Sequence, residues 1–382
     1  MSQGLRVILN ASVMFAPRAG IGQYVGELSG ALQRRDDLQL LFTCGLHHGA
    51  ELPSQGLRNY SQLSRLAKRM LPSPYELKRR IEQYALSRAF KAWDADLYHE
   101  PSLWPLKLDR PTVMTLHDLT HVHYPETQPV GRLRAIERHL GRALENSRQI
   151  LCVSHFTAAQ AMEHYGIPES KISVTPLGVS ENFHPWSAEE AEPLLRGFGL
   201  SYRQYLLCVG TLEPRKNLEL VFQAIRSLPR GLLERCPLVL CGSYGWGKLP
   251  ESMAALLAER RVIHLGYRSS TELHALLASA RILLFPSFYE GFGLPILEAM
   301  ASGTPVVTSN CASMPEVSGG AAHLINPQDA NDLSEAIQRL HDDQQYWHRL
   351  QQLGLERAMR FTWNRTAELT VAAYRTALQA SC

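Results

Sequence analysis

Two carboxylates, Glu290 and Glu298, frame a glycine turn in the run Tyr289 to Ala299, which reads YEGFGLPILEA. Gly291, Phe292 and Gly293 link a short apolar run, Arg281 to Phe285, to a helical pattern from Leu294 to Ala301. A strand, a turn with little side-chain bulk and a helix N-terminus leave backbone N–H groups directed at whatever binds there, so phosphate together with hydroxyls fits the place. Pro295 suits the first helical turn, where its missing N–H leaves no bond unmade. A second segment, Val209 to Asn217 (VGTLEPRKN), sets Arg215 beside Lys216 just beyond another apolar run. A guanidinium can fork onto phosphate oxygens and an ammonium adds a compact point charge. A departing nucleoside diphosphate gains negative charge as its glycosidic bond breaks, and fixed cations stabilise that charge.

The elements that must position these groups are parallel strands. Apolar runs alternate with helical patterns through the whole chain, which predicts an α/β protein with crossover helices. Strands are expected at Leu5 to Leu9, Leu38 to Phe42, Leu97 to Tyr98, Thr112 to Leu116 and Gln149 to Val153. The series begins again at Tyr205 to Val209 and continues through Leu238 to Cys241, Val262 to Leu265, Ile282 to Phe285, Pro305 to Val307 and Ala322 to Ile325. Ligands of such sheets bind beyond the carboxyl ends of the strands, where both segments fall. Between the two series, Glu181 to Ser201 carries Pro185, Trp186, Pro193 and several acids, a composition that suits a linker.

The pattern E-G-F-G-L-P-x-x-E from Glu290 to Glu298 resembles the signature of retaining, nucleotide-sugar-dependent glycosyltransferases of family 4, and Gly210 to Asn217 is similar to their G-x-x-x-x-R-K-N pattern. The resemblance implies a GT-B fold: an acceptor-side Rossmann-like domain over 1–180, a linker over 181–201, a nucleotide-sugar-binding domain over 202–363 and an interdomain cleft, with helix 364–380 packing back on the first domain. It further implies that Glu290 contacts hydroxyls of the donor sugar and Glu298 the nucleotide ribose. Backbone amides of Gly293 and Leu294 then meet the sugar or phosphate. His117, at the end of the run Thr112 to Leu116, matches a histidine that contacts the sugar near its reacting carbon, and Gly20 and Gly22 match a glycine loop approaching the diphosphate and sugar. Leu265, Gly266 and Tyr267 are placed at the base pocket by the same likeness. The texture of VGTLEPRKNL and PSFYEGFGLPILEAMASGTPVV resembles the mannosyltransferase branch, which implies a GDP-linked mannose or rhamnose donor and a lipid-linked polysaccharide acceptor such as a lipopolysaccharide O-antigen. No cofactor beyond that co-substrate, and no metal, is expected.

Other patterns are weaker. Gly20-Ile21-Gly22 fails as a dinucleotide fingerprint, because Val25 stands where the third glycine belongs. Gly242 to Leu249 nearly matches a P-loop, but Leu249 replaces the magnesium-binding hydroxyl. Asp94-Ala95-Asp96 precedes a strand and reads as a surface turn, and His121 and His123 near His117 lack a cysteine or spaced carboxylate to complete a metal site. His155 is read as a polar lining residue or a cap neighbour.

Length and composition agree with two soluble domains: 382 residues, 45% hydrophobic, 20% charged, and seven cysteines without a Cys-x-x-Cys pair, expected as reduced core residues. A net charge of +3 is too small to imply nucleic acid. With no bilayer-spanning run and no signal-peptide pattern, a cytoplasmic protein is expected. The basic, amphipathic stretch from Arg58 to Lys91 predicts peripheral attachment to an anionic membrane surface, with a solvated helix face as the alternative. Two other functions stay open: a UDP-sugar-dependent transferase, and a non-catalytic sugar-nucleotide-binding scaffold among other polysaccharide-assembly enzymes.

Overall fold

The computed structural model describes residues 4–15, 20–45, 47–52, 74–103, 105–106, 108–245, 252–259 and 261–379. The alternation of apolar runs and helical patterns resolves into two α/β units. The first comprises Met1–Leu119, Val130–Gly178 and Trp363–Cys382, the second Thr120–Pro129 and Val179–Thr362.

Strands of the first unit are β1 (Leu5–Asn10), β2 (Leu38–Cys44), β3 (His47–Gly49), β4 (Leu97–Glu100), β5 (Thr112–Leu116), β6 (Gln149–Cys152) and β7 (Ile172–Val174). They form one sheet in the order β3-β2-β1-β4-β5-β6-β7, parallel except for the β2–β3 pair. The second unit carries β8 (Leu206–Val209), β9 (Leu238–Cys241), β10 (Val262–Gly266), β11 (Ile282–Phe285), β12 (Val306–Ser309) and β13 (His323–Ile325) in a wholly parallel sheet ordered β10-β9-β8-β11-β12-β13. Every residue of β5 and of β11 is buried, as expected of central parallel strands covered on both faces by helices. Strand order reverses between β1 and β4 in one sheet and between β8 and β11 in the other. At such switch points the connections diverge to opposite faces and leave a crevice at the strands' carboxyl ends.

β3 and β7 were not anticipated from sequence. Both are three-residue edge strands with no fully buried position, so neither has an apolar run to announce it. The stretch expected as a linker contains a helix, Ala188–Gly197, with a capping box between Ser187 and Glu190. Its early acids are therefore first-turn residues complementing the helix dipole, and it packs on the helix Ser270–Ser279. The last helix, Trp363–Gln379, lies in the first unit, where buried Tyr374 meets His99 Nδ1 at 2.7 Å.

Packing fixes the carboxyl ends of the second sheet. The helix Leu218–Ser227 buries Val221, Phe222 and Ile225 in a cluster with Leu333, Ile337 and Leu340. Each such side chain contributes about 1.5–3 kcal/mol of transfer free energy, enough to anchor the loop that precedes the helix. Cys208 and Cys241 are free and buried in this unit, and burial pushes both thiols up to about 12.

Candidate functional site

The loop after β8 is held from several sides. Asn217 adopts a left-handed conformation, φ 58°, ahead of the helix it precedes, and its amide donates to the carbonyls of Pro286 and Pro327 at 3.1 and 2.7 Å. The Phe288 N–H donates to the Arg215 carbonyl at 3.0 Å, tying this loop to the one after β11. That second loop is clamped in turn by Ser313, whose hydroxyl lies 2.9 Å from the Glu290 carbonyl and 2.8 Å from that of Phe292. Gly293, at φ 98°, opens the helix Leu294–Ala301, a backbone conformation that side-chain-bearing residues rarely adopt.

Between the two loops lies a cluster of four charged side chains. Glu290 Oε2 is 2.7 Å from Arg215 Nη1, and Glu290 Oε1 is 2.6 Å from Lys216 Nζ. Arg215 also donates through Nε and Nη2 to Glu213 Oε1, at 3.0 and 2.6 Å, and through Nη1 to the Tyr289 carbonyl at 2.5 Å. All four side chains are nearly enclosed, with exposures of 8% for Glu213, 13% for Arg215, 14% for Lys216 and 11% for Glu290. Burial alone would raise the Glu290 carboxyl, but the two cations outweigh it and hold the group at about 2. The Lys216 ammonium is pulled down by desolvation, against which Glu290 acts, and it sits 4.5 Å from the centre of the Phe285 ring.

The structure thus brings Arg215, Lys216 and Glu290 together, but turns the Arg215 fork toward carboxylates of its own chain. The sequence reading missed Glu213, although a carboxylate two residues before an arginine is a signal that could have found it. Glu298 is buried within the helix Leu294–Ala301, 3% exposed. At the end of β10, Gly266 has φ 70° and Tyr267 is 55% exposed beside it. His123 and Tyr124, from the segment that groups with the second unit, place their rings 5.1 and 5.7 Å from that of Tyr289.

In the first unit, Gly20 has φ 49° and precedes the helix Ile21–Gln33, and a side chain added at Gly20 or Gly22 would meet open space. His117 Nε2 donates to the Pro101 carbonyl at 2.9 Å and meets the Tyr24 ring edge-on at 4.8 Å. Burial lowers its pKa, with the Pro101 carbonyl and Asp118 acting the other way. Sequence reasoning also overlooked Glu100, at the end of β4 beside the switch point. It accepts hydrogen bonds from Tyr98 Oη at 2.6 Å, Asn10 Nδ2 at 2.8 Å and Ser102 Oγ at 2.5 Å, and burial lifts it to about 7.

Several weaker motifs find structural employment. Arg6 pairs with Asp94 at 2.9 Å, and its N–H donates to Asp96 at 2.8 Å, which makes that segment a turn against β1. Of the near P-loop, Gly242 packs so tightly on Gly210 that any Cβ there would overlap the Gly210 carbonyl, while 246–250 lie outside the described residues. His155 is exposed and follows the cap, Ser154, whose hydroxyl accepts from the Thr157 N–H. Among the described residues no group of three or more His, Cys, Asp or Glu could hold a metal ion, and no helix is long and apolar enough to cross a membrane. Of the basic stretch, 58–73 lie outside the described residues. Its remainder forms the helix Pro74–Trp93, where Arg80, Arg88 and Lys91 are exposed together with Ile81 at 39% and Tyr84 at 60%.

Two Rossmann-like parallel-sheet units, one bearing a cation–carboxylate cluster at its switch point, define a GT-B glycosyltransferase. Residues 18–183 match the model of Glycosyltransferase Family 4, and 200–357 that of Glycosyl transferases group 1. The chain is 34% identical to O-antigen chain mannosyltransferase B of Escherichia coli, over 97% of this chain and 100% of that one. It is 30% identical to the serotype-specific mannosyltransferase WbdA of Escherichia coli over 71% of this chain, spanning 34% of that longer protein. In fold it is similar to a sucrose-phosphate synthase from Thermosynechococcus elongatus, with a TM-score of 0.73, 19% identity, and 99% and 100% of the two chains covered. The chain belongs to the family 4, group 1 glycosyltransferases, and it is a hexosyltransferase.

Proposed function

We propose that the protein moves a mannose- or rhamnose-type hexose from a GDP-sugar, with retention of configuration, onto a lipid-linked or growing polysaccharide such as a lipopolysaccharide O-antigen. The observation that carries this reading is the seat of Glu290 between Arg215 and Lys216 at the β8–β11 switch point, 2.7 and 2.6 Å from the two cations. A carboxylate kept ionised in a nearly enclosed site can bind sugar hydroxyls, and the adjacent cations can take the charge that develops on the departing diphosphate. The sugar becomes oxocarbenium-like as its bond to the leaving oxygen lengthens, so groups fixed before the reaction act most strongly in the transition state. Glu298 is assigned to the ribose, Gly266 and Tyr267 to the base, the amides of Gly293 and Leu294 to the sugar or phosphate, and His117, Gly20 and Gly22 to the roles that the family pattern gives them. No metal is assigned a part.

The mannose-type donor and the O-antigen acceptor are supported by the similarity to O-antigen chain mannosyltransferase B along its whole length, and the GDP link rests on the family pattern. Calorimetric titration with GDP and UDP tests the base: appreciably tighter binding of GDP is expected, and a clear preference for UDP would move the reading to a UDP-sugar transferase. Release of free nucleoside diphosphate during transfer separates either enzyme from a binding scaffold.

Attachment to an anionic membrane surface belongs to the same proposal. Its support is the exposed face of the helix Pro74–Trp93, where Ile81 and Tyr84 stand among Arg80, Arg88 and Lys91. A lipid-linked acceptor would require such proximity.

A further inference from the structure

The four charges of the cluster sum to zero, two carboxylates against two cations, so the diphosphate site proposed above is not a simple pair of unopposed cations. The carboxylate without a proposed role in this balance is Glu213. Its Oε1 holds both Nε and Nη2 of Arg215, which presents the remaining nitrogen, Nη1, to Glu290 and the Tyr289 carbonyl. Glu213 is buried and immediately precedes the short turn Pro214–Lys216 that carries its partner, whose backbone is fixed by the Phe288 N–H. Glu290 pairs with Lys216 as well as with Arg215 and so joins the loops after β8 and β11.

We propose that Glu213 is a positioning residue for transfer: it aims Arg215 Nη1 at the diphosphate, and its charge tempers the grip of the site so that the nucleoside diphosphate product can leave. This rests on the donor-site reading given above. A diphosphate meeting Arg215 and Lys216 while Glu290 turns to sugar hydroxyls finds both cations partly offset by Glu213, which pairs directly with Arg215 and also acts through its charge on Lys216. Without that offset, both cations would face the product at full strength in a nearly enclosed site, where Coulomb attraction is weakly screened.

The test is Glu213→Gln, which keeps size and an acceptor oxygen but removes the charge. GDP, and UDP in parallel, are titrated into wild type and variant, and steady-state transfer is measured on both. The nucleoside diphosphate is expected to bind about tenfold tighter to the variant, as loss of a unit charge several ångströms away implies at an intermediate effective dielectric. Turnover and KM for the donor should fall together as product release slows, and rising salt should narrow the affinity gap. Mere structural damage would weaken binding, the opposite sign. Glu213→Asp, which keeps the charge, should retain wild-type affinity within a factor of two while losing turnover through a displaced guanidinium. Unchanged or weaker binding to Glu213→Gln, with wild-type binding intact, overturns the role of Glu213 alone, as does full turnover in Glu213→Asp. Failure of both nucleotides to bind the wild type overturns the donor site itself, and the proposal with it.

Discussion

Lys216 Nζ and Glu290 Oε1 are 2.6 Å apart across 74 residues of sequence, joining the loops after β8 and β11 at the point where the second sheet reverses its strand order. The pair makes the two most informative sequence segments into one site. Lys216→Ala and Glu290→Gln are each expected to leave a folded protein and lower turnover by at least about a hundredfold, since losing one preorganised electrostatic contact costs about 3 kcal/mol. Steady-state rates at saturating donor, with thermal unfolding as the control, check this. Near wild-type turnover in either variant would remove the residue from the site.

Glu100 gives a pH signature in the first unit. Its carboxyl is lifted to about 7 by burial, with Glu82 adding to the shift and hydrogen bonds from Ser102, Tyr98 and Asn10 opposing it. The folded state therefore holds a proton that the unfolded chain has already lost, and this carboxyl's contribution to stability declines as pH rises from about 4.5 to 7, by about 3 kcal/mol in total. Glu100→Gln should flatten that slope, with a higher unfolding temperature than wild type at pH 8 and a similar one at pH 5. Parallel unfolding curves for the two proteins across this range would contradict the buried, proton-holding carboxyl.

Transfer should survive chelation, because Arg215 and Lys216 can do the phosphate work and the near P-loop carries Leu249 in place of a metal-binding hydroxyl. An assay in excess EDTA checks this. Complete loss of activity, restored by manganese or magnesium, would contradict it.

Membrane attachment is expected to be salt-sensitive. Each basic residue near an anionic surface contributes about 1 kcal/mol and is screened by salt, so Arg80→Glu with Arg88→Glu should reduce co-sedimentation with anionic vesicles at low ionic strength. Equal sedimentation of variant and wild type would leave the exposed face of the helix Pro74–Trp93 as a solvated surface.

Much of this was legible in the sequence because central parallel strands are buried on both faces and announce themselves as unbroken apolar runs. β5 and β11 are of this kind, and the residues that follow them, His117 and the Glu290 turn, could be placed at strand ends at once. The edge strands β3 and β7 gave no such signal. Nor did the groups whose importance is relational. Glu213 is an ordinary acid until its oxygen is seen on Arg215, and Glu100 ends a four-residue strand whose meaning depends on Asn10, ninety residues away in sequence. Likewise the polar chain from Tyr374 through His99 and Thr115 to Tyr24, with contacts of 2.7, 2.8 and 3.0 Å, joins two helices and two strands that no local pattern relates. The acid-rich stretch before Ser201 misled in the other direction, since charges at a helix N-terminus and charges in a linker look alike without the cap in view.

The stereochemistry and stoichiometry of transfer test the proposed reaction most directly. Wild-type enzyme is incubated separately with GDP-mannose, GDP-rhamnose and the corresponding UDP-hexoses, in the presence of a lipid-linked saccharide acceptor, while released nucleoside diphosphate is quantified and the new anomeric centre is read by nuclear magnetic resonance. The prediction is one GDP released per new glycosidic bond, with the anomeric configuration of the donor retained in the product. An inverted linkage, or transfer from UDP-sugars with no turnover of either GDP-sugar, would contradict it.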